Sequence, residues 1–516
     1  MSQSMETIVK IDAGRVEGYQ NRGLYVFKGI PYAAPPVGER RWQPPGAVEP
    51  WSGVCPAQSS AAISPQNVAQ RGVLDLDQRP AAEPQSEDCL YLNVWTTGID
   101  DTRRPVLFWI HGGGFTSGSG SSVMYKGSRL SARGNVVVVT INYRLGSLGF
   151  LNLNEITGGR IPATGNEGLL DQVAAMEWVH SNIASFGGDP GNVTIFGESA
   201  GGMSVGCLLA LPSAKGLFHK AIAQSGAANT ARPLGKTVQV AEQFLDILDV
   251  KPGDVDTLLA LPVERLLAAQ QELTPRMQTL GLTGGLTLQP VIDGAILPAL
   301  PLDAIRDGSA SGIPVIVGSN LDEWKMFSVR NPELQKMDEA DLLRRIRRIL
   351  PAQNAEALVQ TYREALTRRG VPNPPAEILT AIQTDQIFRI PAIRLAEAQY
   401  SQGQSAYNYL FTWPSPMLDG ALGAHHALEL GFLFGNYGEG FGGSGPAADA
   451  LSRNIQDAWL AFAGNGDPSC ESIGRWPPYD DRRTTMIIDE ECHVEEAPYD
   501  EERHAWESIL NEILGS

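Results

Sequence analysis

Two short runs constrain the fold more than any other part of the chain. Val106-Leu107-Phe108-Trp109-Ile110 and Val136-Val137-Val138-Val139-Thr140-Ile141 are apolar and rich in β-branched residues almost without interruption. A strand with one wet face would alternate apolar and polar residues. An unbroken run is expected of a strand covered on both faces, as in a mostly parallel sheet. Between Leu169 and Ile183 the spacing becomes helical, with Leu170, Val173, Ala174, Trp178 and Ile183 on one stripe. Gly187-Gly188-Asp189-Pro190 then stops the helix, and Val193-Thr194-Ile195-Phe196 starts another strand. Strand and helix in alternation predict an α/β fold with right-handed crossovers. Pro314-Val315-Ile316-Val317 and Tyr407-Asn408-Tyr409-Leu410-Phe411 continue the strand pattern. Between them, residues 333–400 are dominated by helical periodicity, as in Ala340-Asp341-Leu342-Leu343-Arg344-Arg345-Ile346. The expected organisation is one domain over residues 1–516, with approximately 333–400 inserted as a helical cap. The glycine-rich piece from Gly438 to Gly445 reads as a connecting loop.

Charge narrows the function classes. Forty Lys and Arg against 58 Asp and Glu leave a net charge of −18. Such a surface repels phosphate backbones and keeps the protein soluble, so no nucleic-acid partner is expected. No apolar stretch approaches the roughly 20 residues of a spanning helix, so no membrane span is expected. Met1-Ser2-Gln3-Ser4-Met5-Glu6-Thr7 lacks the basic start and apolar run of a signal peptide. Cys55, Cys89, Cys207, Cys470 and Cys492 are too few and too scattered for a disulfide framework or a zinc site. Asn192-Val193-Thr194 has the form of a glycosylation sequon but reads better as part of a buried strand. Cytoplasm is the expected location, with neither metal nor cofactor, and the chain as monomer or small homo-oligomer.

The sharpest chemical signal is Gly197-Glu198-Ser199-Ala200-Gly201, directly after the strand ending at Phe196. Fifty-five glycines make such a motif easy to meet by chance, so its context matters. Here a strand precedes it, and Ala200-Gly201-Gly202 opens a helix. A strand-to-helix turn of this kind lifts a serine hydroxyl above a sheet. The hydroxyl then needs a base to take its proton. Of seven histidines, His111 belongs to another motif, His180 and His219 fall in helix-like segments, and His493 and His504 lie in a charged C-terminal stretch. His425 and His426 remain, well downstream in a loop after a strand. The order serine, acid, base requires a carboxylate between them, and Asp322 and Glu323 both follow the strand at Val317. The residue types alone do not separate these two acids. His111-Gly112-Gly113-Gly114-Phe115 follows the strand ending at Ile110. Its bare backbone N–H groups can point at an oxyanion, together with the N–H of Ala200.

Taken together, these segments resemble the type-B carboxylesterases, the group that includes cholinesterases and bacterial para-nitrobenzyl esterases. The likeness runs through Phe27-Lys28-Gly29-Ile30-Pro31-Tyr32-Ala33, Glu87-Asp88-Cys89-Leu90-Tyr91-Leu92-Asn93-Val94, Asn142-Tyr143-Arg144-Leu145-Gly146 and Phe186-Gly187-Gly188-Asp189-Pro190. It implies an α/β-hydrolase fold and a serine esterase acting through an acyl-enzyme on neutral, fairly hydrophobic small-molecule esters. Carbamates, amides or lactones are alternative substrates, and a non-catalytic cholinesterase-like binding protein is the alternative of another class. By the same resemblance Ser199 is the nucleophile and Glu323 the acid. His426 in His426-Ala427-Leu428-Glu429-Leu430 is the base, and Gly113, Gly114 and Ala200 are the oxyanion donors. Arg41–Glu87 and Arg144–Asp171 are implied as structural ion pairs. Three departures stand out. Cys89 faces no cysteine near Ser64. No tryptophan of the kind that holds a quaternary ammonium lies between Ser64 and Glu87, which disfavours choline esters. Trp324 follows the acid where a small residue is common, and is expected to pack.

Overall fold

The fold was analysed in a computed structural model that describes residues 7–67, 83–282, 285–350 and 352–514. Among these, the largest sheet has eleven strands. In chain order they are β1 (Tyr19–Asn21), β2 (Leu24–Pro31), β3 (Tyr91–Thr96), β4 (Arg104–Ile110), β5 (Val137–Ile141), β6 (Gly188–Glu198), β7 (Lys220–Gln224), β8 (Val315–Asn320), β9 (Ala406–Phe411), β10 (Thr484–Ile488) and β11 (His493–Glu496). Across the sheet they run β11-β10-β9-β8-β7-β6-β4-β5-β3-β2-β1. The seven from β10 to β5 are parallel, and the pairs at both margins are antiparallel.

The unbroken apolar runs are explained by cover on both faces. Val106, Phe108 and Ile110 of β4 join one buried cluster, while Leu107 and Trp109 join another on the opposite side. Val137 and Val139 of β5 divide from Val138 in the same way. Successive side chains point to opposite faces, so both sets must be apolar when both faces are dry.

Strand β6 is longer than expected, because it begins at Gly188 inside the segment read as a helix stop. Its pairing with β4 shifts register between Gly188 and Val193, and Pro190 sits in that irregularity. Pro has no N–H to give a ladder, and a break in register is where a strand tolerates it. His219 also departs from its expected helical setting. It stands at the head of β7, where its Nδ1 accepts the Val193 N–H at 3.2 Å.

The helices used below are α1 (Glu167–Asn182), α2 (Ala200–Leu208), α3 (Pro301–Arg306), α4 (Glu339–Ile349), α5 (Ala352–Arg368), α6 (Pro375–Thr384), α7 (Ile390–Ser401) and α8 (Leu428–Leu433). A π-helical turn, Asp385–Arg389, joins α6 to α7. The stretch of helical periodicity is therefore helical as observed, but its last member, α7, packs directly on β8 and β9. No helix among the described residues is long and apolar enough to cross a membrane.

Candidate active site

Strand β6 delivers Ser199 into a turn that few residues tolerate. Its φ of 56° and ψ of −125° place a non-glycine residue at positive φ, and α2 starts at the next residue. Such strain persists only where the surroundings enforce it. The Ser199 N–H is tied to Gln224 O on β7 at 2.9 Å, and Met203 N returns to Ser199 O at 2.9 Å. The small residues of the motif have a steric reason. A Cβ at Gly201 would stand 2.1 Å from Ile110 O, the last carbonyl of β4. Only glycine lets α2 pass so close to the neighbouring strand. Ser199 is half-buried, so its hydroxyl is reachable.

The loop after β8 and the loop before α8 bring Glu323 and His426 together. His426 Nδ1 and Glu323 Oε2 are 2.6 Å apart, and both side chains are buried. Glu323 Oε1 accepts the Asn320 N–H at 2.7 Å, which fixes the carboxylate's orientation. The neighbouring residues point elsewhere. Asp322 pairs with Lys325 at 2.9 Å and accepts the Ala424 N–H at 3.0 Å. His425 Nδ1 contacts His426 O at 2.8 Å. Among the described residues, Ser199 Oγ makes no hydrogen bond to His426.

Two further carboxylates surround the imidazole. Glu198 Oε1 lies 3.0 Å from His426 Nε2, yet it accepts no hydrogen bond, so it sits off the line of that nitrogen's N–H. Glu429 is held by Asn320 Nδ2 at 2.7 Å and by Gln224 Nε2 at 3.1 Å. Burial is the main force raising the Glu198 pKa, to about 8; His426 opposes it, and Glu429 and Glu323 add repulsion. Burial likewise pushes Glu429 up to about 7, with Glu323 adding to it. Burial opposes charge on His426, but Glu198 and Glu323 outweigh it and raise its pKa to about 9. Buried like charges this close cannot all ionise, so the cluster shares its protons.

The glycine loop supplies donors. Gly113 has φ 112° and Gly114 φ 61°, a path favoured by the lack of a Cβ. The loop is closed by Thr116 and Ser117 N–H groups on Gly113 O, at 3.1 and 3.0 Å. Among the described residues, no acceptor takes the N–H of Gly113, Gly114 or Ala200. His111 is packed away on Tyr143, with ring centroids 4.4 Å apart, and burial lowers its pKa to about 4. It is a neutral support for the loop.

The remaining expectations find definite places. Arg41 meets Glu87 through two contacts of 2.5 and 2.6 Å. Arg144 meets Asp171 at 2.7 and 2.8 Å, fully buried. The Cys89 thiol is buried and free, and Ser64, not a cysteine, stands near it with its hydroxyl accepting the Leu145 N–H at 3.1 Å. Residues 68–82, most of the loop that lacks a tryptophan, lie outside the described residues. Trp324 packs against Phe327 and Phe388 at 4.7 and 6.3 Å, and both of those rings lie against His426, at 5.5 and 4.8 Å. Sequence reasoning gave no role to Glu198, Glu429 or Phe388. The two acids were nevertheless visible, one inside the Gly-x-Ser-x-Gly motif and one three residues after His426. No cluster of potential metal ligands occurs among the described residues.

Residues 5–506 match the model of the carboxylesterase family. The para-nitrobenzyl esterase of Bacillus subtilis (strain 168) is 39% identical over 502 residues, covering 96% of this chain and 97% of that protein. A cocaine esterase of Oryctolagus cuniculus is 36% identical over 489 residues, 90% of this chain and 87% of that protein. The crystal structure of a Geobacillus stearothermophilus carboxylesterase superposes with a TM-score of 0.86 at 41% identity, covering 97% of this chain and all of that one. A para-nitrobenzyl esterase structure gives 0.84 at 38% identity, with the same coverage. The chain thus belongs to the carboxylesterase family and is a serine hydrolase of carboxylic esters on an α/β-hydrolase fold.

Proposed function

We propose that Ser199 is the nucleophile, His426 its general base and Glu323 the acid that orients the base, acting on neutral, fairly hydrophobic esters. The observation that carries this reading is the buried 2.6 Å hydrogen bond between Glu323 and His426. It leaves the opposite nitrogen, Nε2, to serve the hydroxyl. Hydrogen bonds to a nucleophile are often long in the free enzyme and tighten when substrate arrives.

In the first step His426 takes the proton of Ser199 Oγ as that oxygen attacks the ester carbonyl carbon. The carbonyl π-electrons move to oxygen, and the N–H groups of Gly113, Gly114 and Ala200 receive the new charge. Each such donor is worth about 3–4 kcal/mol in the transition state. Collapse of the intermediate breaks the bond to the alkoxy group, which takes the proton from His426 and leaves as alcohol. Water then attacks the acyl-enzyme, gives its proton to His426, and the carboxylic acid departs as Ser199 regains its hydrogen. Glu323 stays ionised throughout and stabilises the imidazolium.

The substrate class rests on the walls. Trp324, Phe327 and Phe388 give the base an aromatic surround, and Leu286 lies 3.4 Å from where a Cβ on Gly114 would stand. The buried acids nearby disfavour an anionic group. The chain reads as one domain, because both core clusters pack on a single sheet and the helices from α4 to α6 form its cap. Five free cysteines fit a reducing compartment such as the cytoplasm. Ser199→Ala is expected to lower kcat on a para-nitrophenyl ester by on the order of 10⁵-fold or more with the fold intact. An organophosphate should label Ser199 and no other serine. Turnover within tenfold of the unsubstituted enzyme would sink the assignment.

A further inference from the structure

Away from the serine, α3, α7 and the segment from Trp506 to Asn511 enclose a groove of about 450 Å³. Its lining carries Arg306, Arg394, Arg483 and Arg503 against Glu397 and Glu507, so 4 − 2 gives +2 in a chain of net −18. These arginines are not equivalent. Arg503 is neutralised by Asp500 at 2.5 Å and Glu507 at 2.8 Å. Arg483 has Glu397 at 3.7 Å. Arg394 has no carboxylate bonded to it. Its Nη2 donates to Trp506 O at 2.6 Å and Ile509 O at 2.8 Å, and its Nη1 donates to Asn511 Oδ1.

Arg394 is only 8% exposed. A buried guanidinium bonded to neutral groups alone is costly, and here the charge of Glu397, in the same groove, only partly replaces the lost hydration. Arg306, touching only Asp303 at 3.4 Å, adds repulsion to that charge. Of the five N–H donors a guanidinium owns, three are used here, so two are left. Beside this cationic corner the groove is apolar, with Ile393 and an outward-facing Leu510 that is 64% exposed.

We propose that this groove binds a small amphiphilic carboxylate, the chemical class that ester hydrolysis releases, with its head on Arg394 and Arg306 and its apolar body against Ile393 and Leu510. Both Nη2 hydrogens of Arg394 are spent on backbone carbonyls, so its Nε–H or second Nη1–H can reach a carboxylate as a single charge-assisted donor beside Arg306. An incoming anion adds counter-charge to that of Glu397. The helix forming one wall, α7, begins two residues after Phe388, whose ring packs on His426.

Isothermal titration calorimetry of the full-length protein with octanoate, 1-octanol and inorganic phosphate tests the assignment. Octanoate should bind at a site that Arg306→Glu weakens at least tenfold, while ester turnover without octanoate stays unchanged. Binding elsewhere, including near Ser199, would survive that substitution. Octanol and phosphate should each bind at least tenfold more weakly than octanoate, since one lacks the charge and the other the apolar body. Hydrogen exchange of residues 506–511 should slow when octanoate is bound. Octanoate binding that Arg306→Glu leaves unchanged would overturn the proposal. Equal affinity for phosphate would reduce the groove to a plain anion site, and equal affinity for octanol to a plain apolar one.

Discussion

Around Ser199 the geometry is made by backbone within a few residues: a strand, one residue at φ 56°, and a helix so close to Ile110 O that a Cβ on Gly201 would stand only 2.1 Å from it. Around His426 it is made by side chains from distant segments. Glu323 is 103 residues away, Glu198 belongs to another strand, and Phe388 comes from the π-helical turn. The first kind of site is a steric object that tolerates almost no change in shape. The second is an electrostatic object, in which a change of charge matters more than a change of shape. The two can be tested separately.

The largest expected effect falls on the electrostatic side. Glu323→Gln keeps the size of the acid but removes its charge and allows the wrong imidazole tautomer. We expect kcat to fall by about 10³- to 10⁴-fold, the scale such acid-to-amide changes reach in serine hydrolases, with the thermal midpoint little altered. A loss under tenfold would show that another carboxylate orients the base. The steric side should respond in the opposite sense. Gly201→Ala drives a methyl into a main-chain carbonyl, which costs about 1–3 kcal/mol when neighbours can shift and more when, as here, they are strands of a parallel sheet. Its thermal midpoint should drop by several degrees, whereas Gly235→Ala, with nothing near its Cβ, should leave stability unharmed. Equal midpoints for the two variants would contradict the steric account.

The same division explains what could be read in advance. The serine's turn and the triple glycine are local, so their residue pattern and the strands before them are visible in the chain. The strands were legible because both faces are dry, although Pro190 hid the true start of β6. Asp322 and Glu323, like His425 and His426, are adjacent and chemically alike. Which member faces inward depends on the direction of one loop, and family resemblance, not composition, separated them. The contributions of Glu198 and Glu429 arise from burial, which no motif states. The surplus arginine at the groove was equally invisible, because it exists only when α7 meets the C-terminal segment.

A smaller effect concerns protons. Glu198, when ionised, favours the charged imidazole, and His426 must be neutral to accept the serine's proton. Activity should therefore rise with pH as the imidazole loses its proton. Replacing Glu198 by Gln removes the largest of the three carboxylate charges that raise the His426 pKa, so the rising limb of kcat/KM should move to lower pH. The expected displacement is about one pH unit, or about 1.4 kcal/mol. A limb that stays in place or moves upward would mean that the Glu198 charge does not hold the proton on His426.

The smallest effect separates charge from geometry within one side chain. Asp322 Oδ1 pairs with Lys325 at a partly exposed site, while Oδ2 accepts the N–H of Ala424, two residues before the base. Partly exposed pairs are worth about 0–1 kcal/mol, so losing the charge should matter little. An amide oxygen can still accept from Ala424, and Asp322→Asn should keep kcat within about twofold. Asp322→Ala also removes that acceptor, leaving a donor in the base's own loop without its partner. An unmet buried donor costs about 1–3 kcal/mol, and part of that cost would appear as a looser His426. Alanine should therefore lower kcat further than asparagine while KM moves little. If both variants behave alike, the loop's position depends on the ion pair with Lys325, and the base is held more by charge than by its backbone.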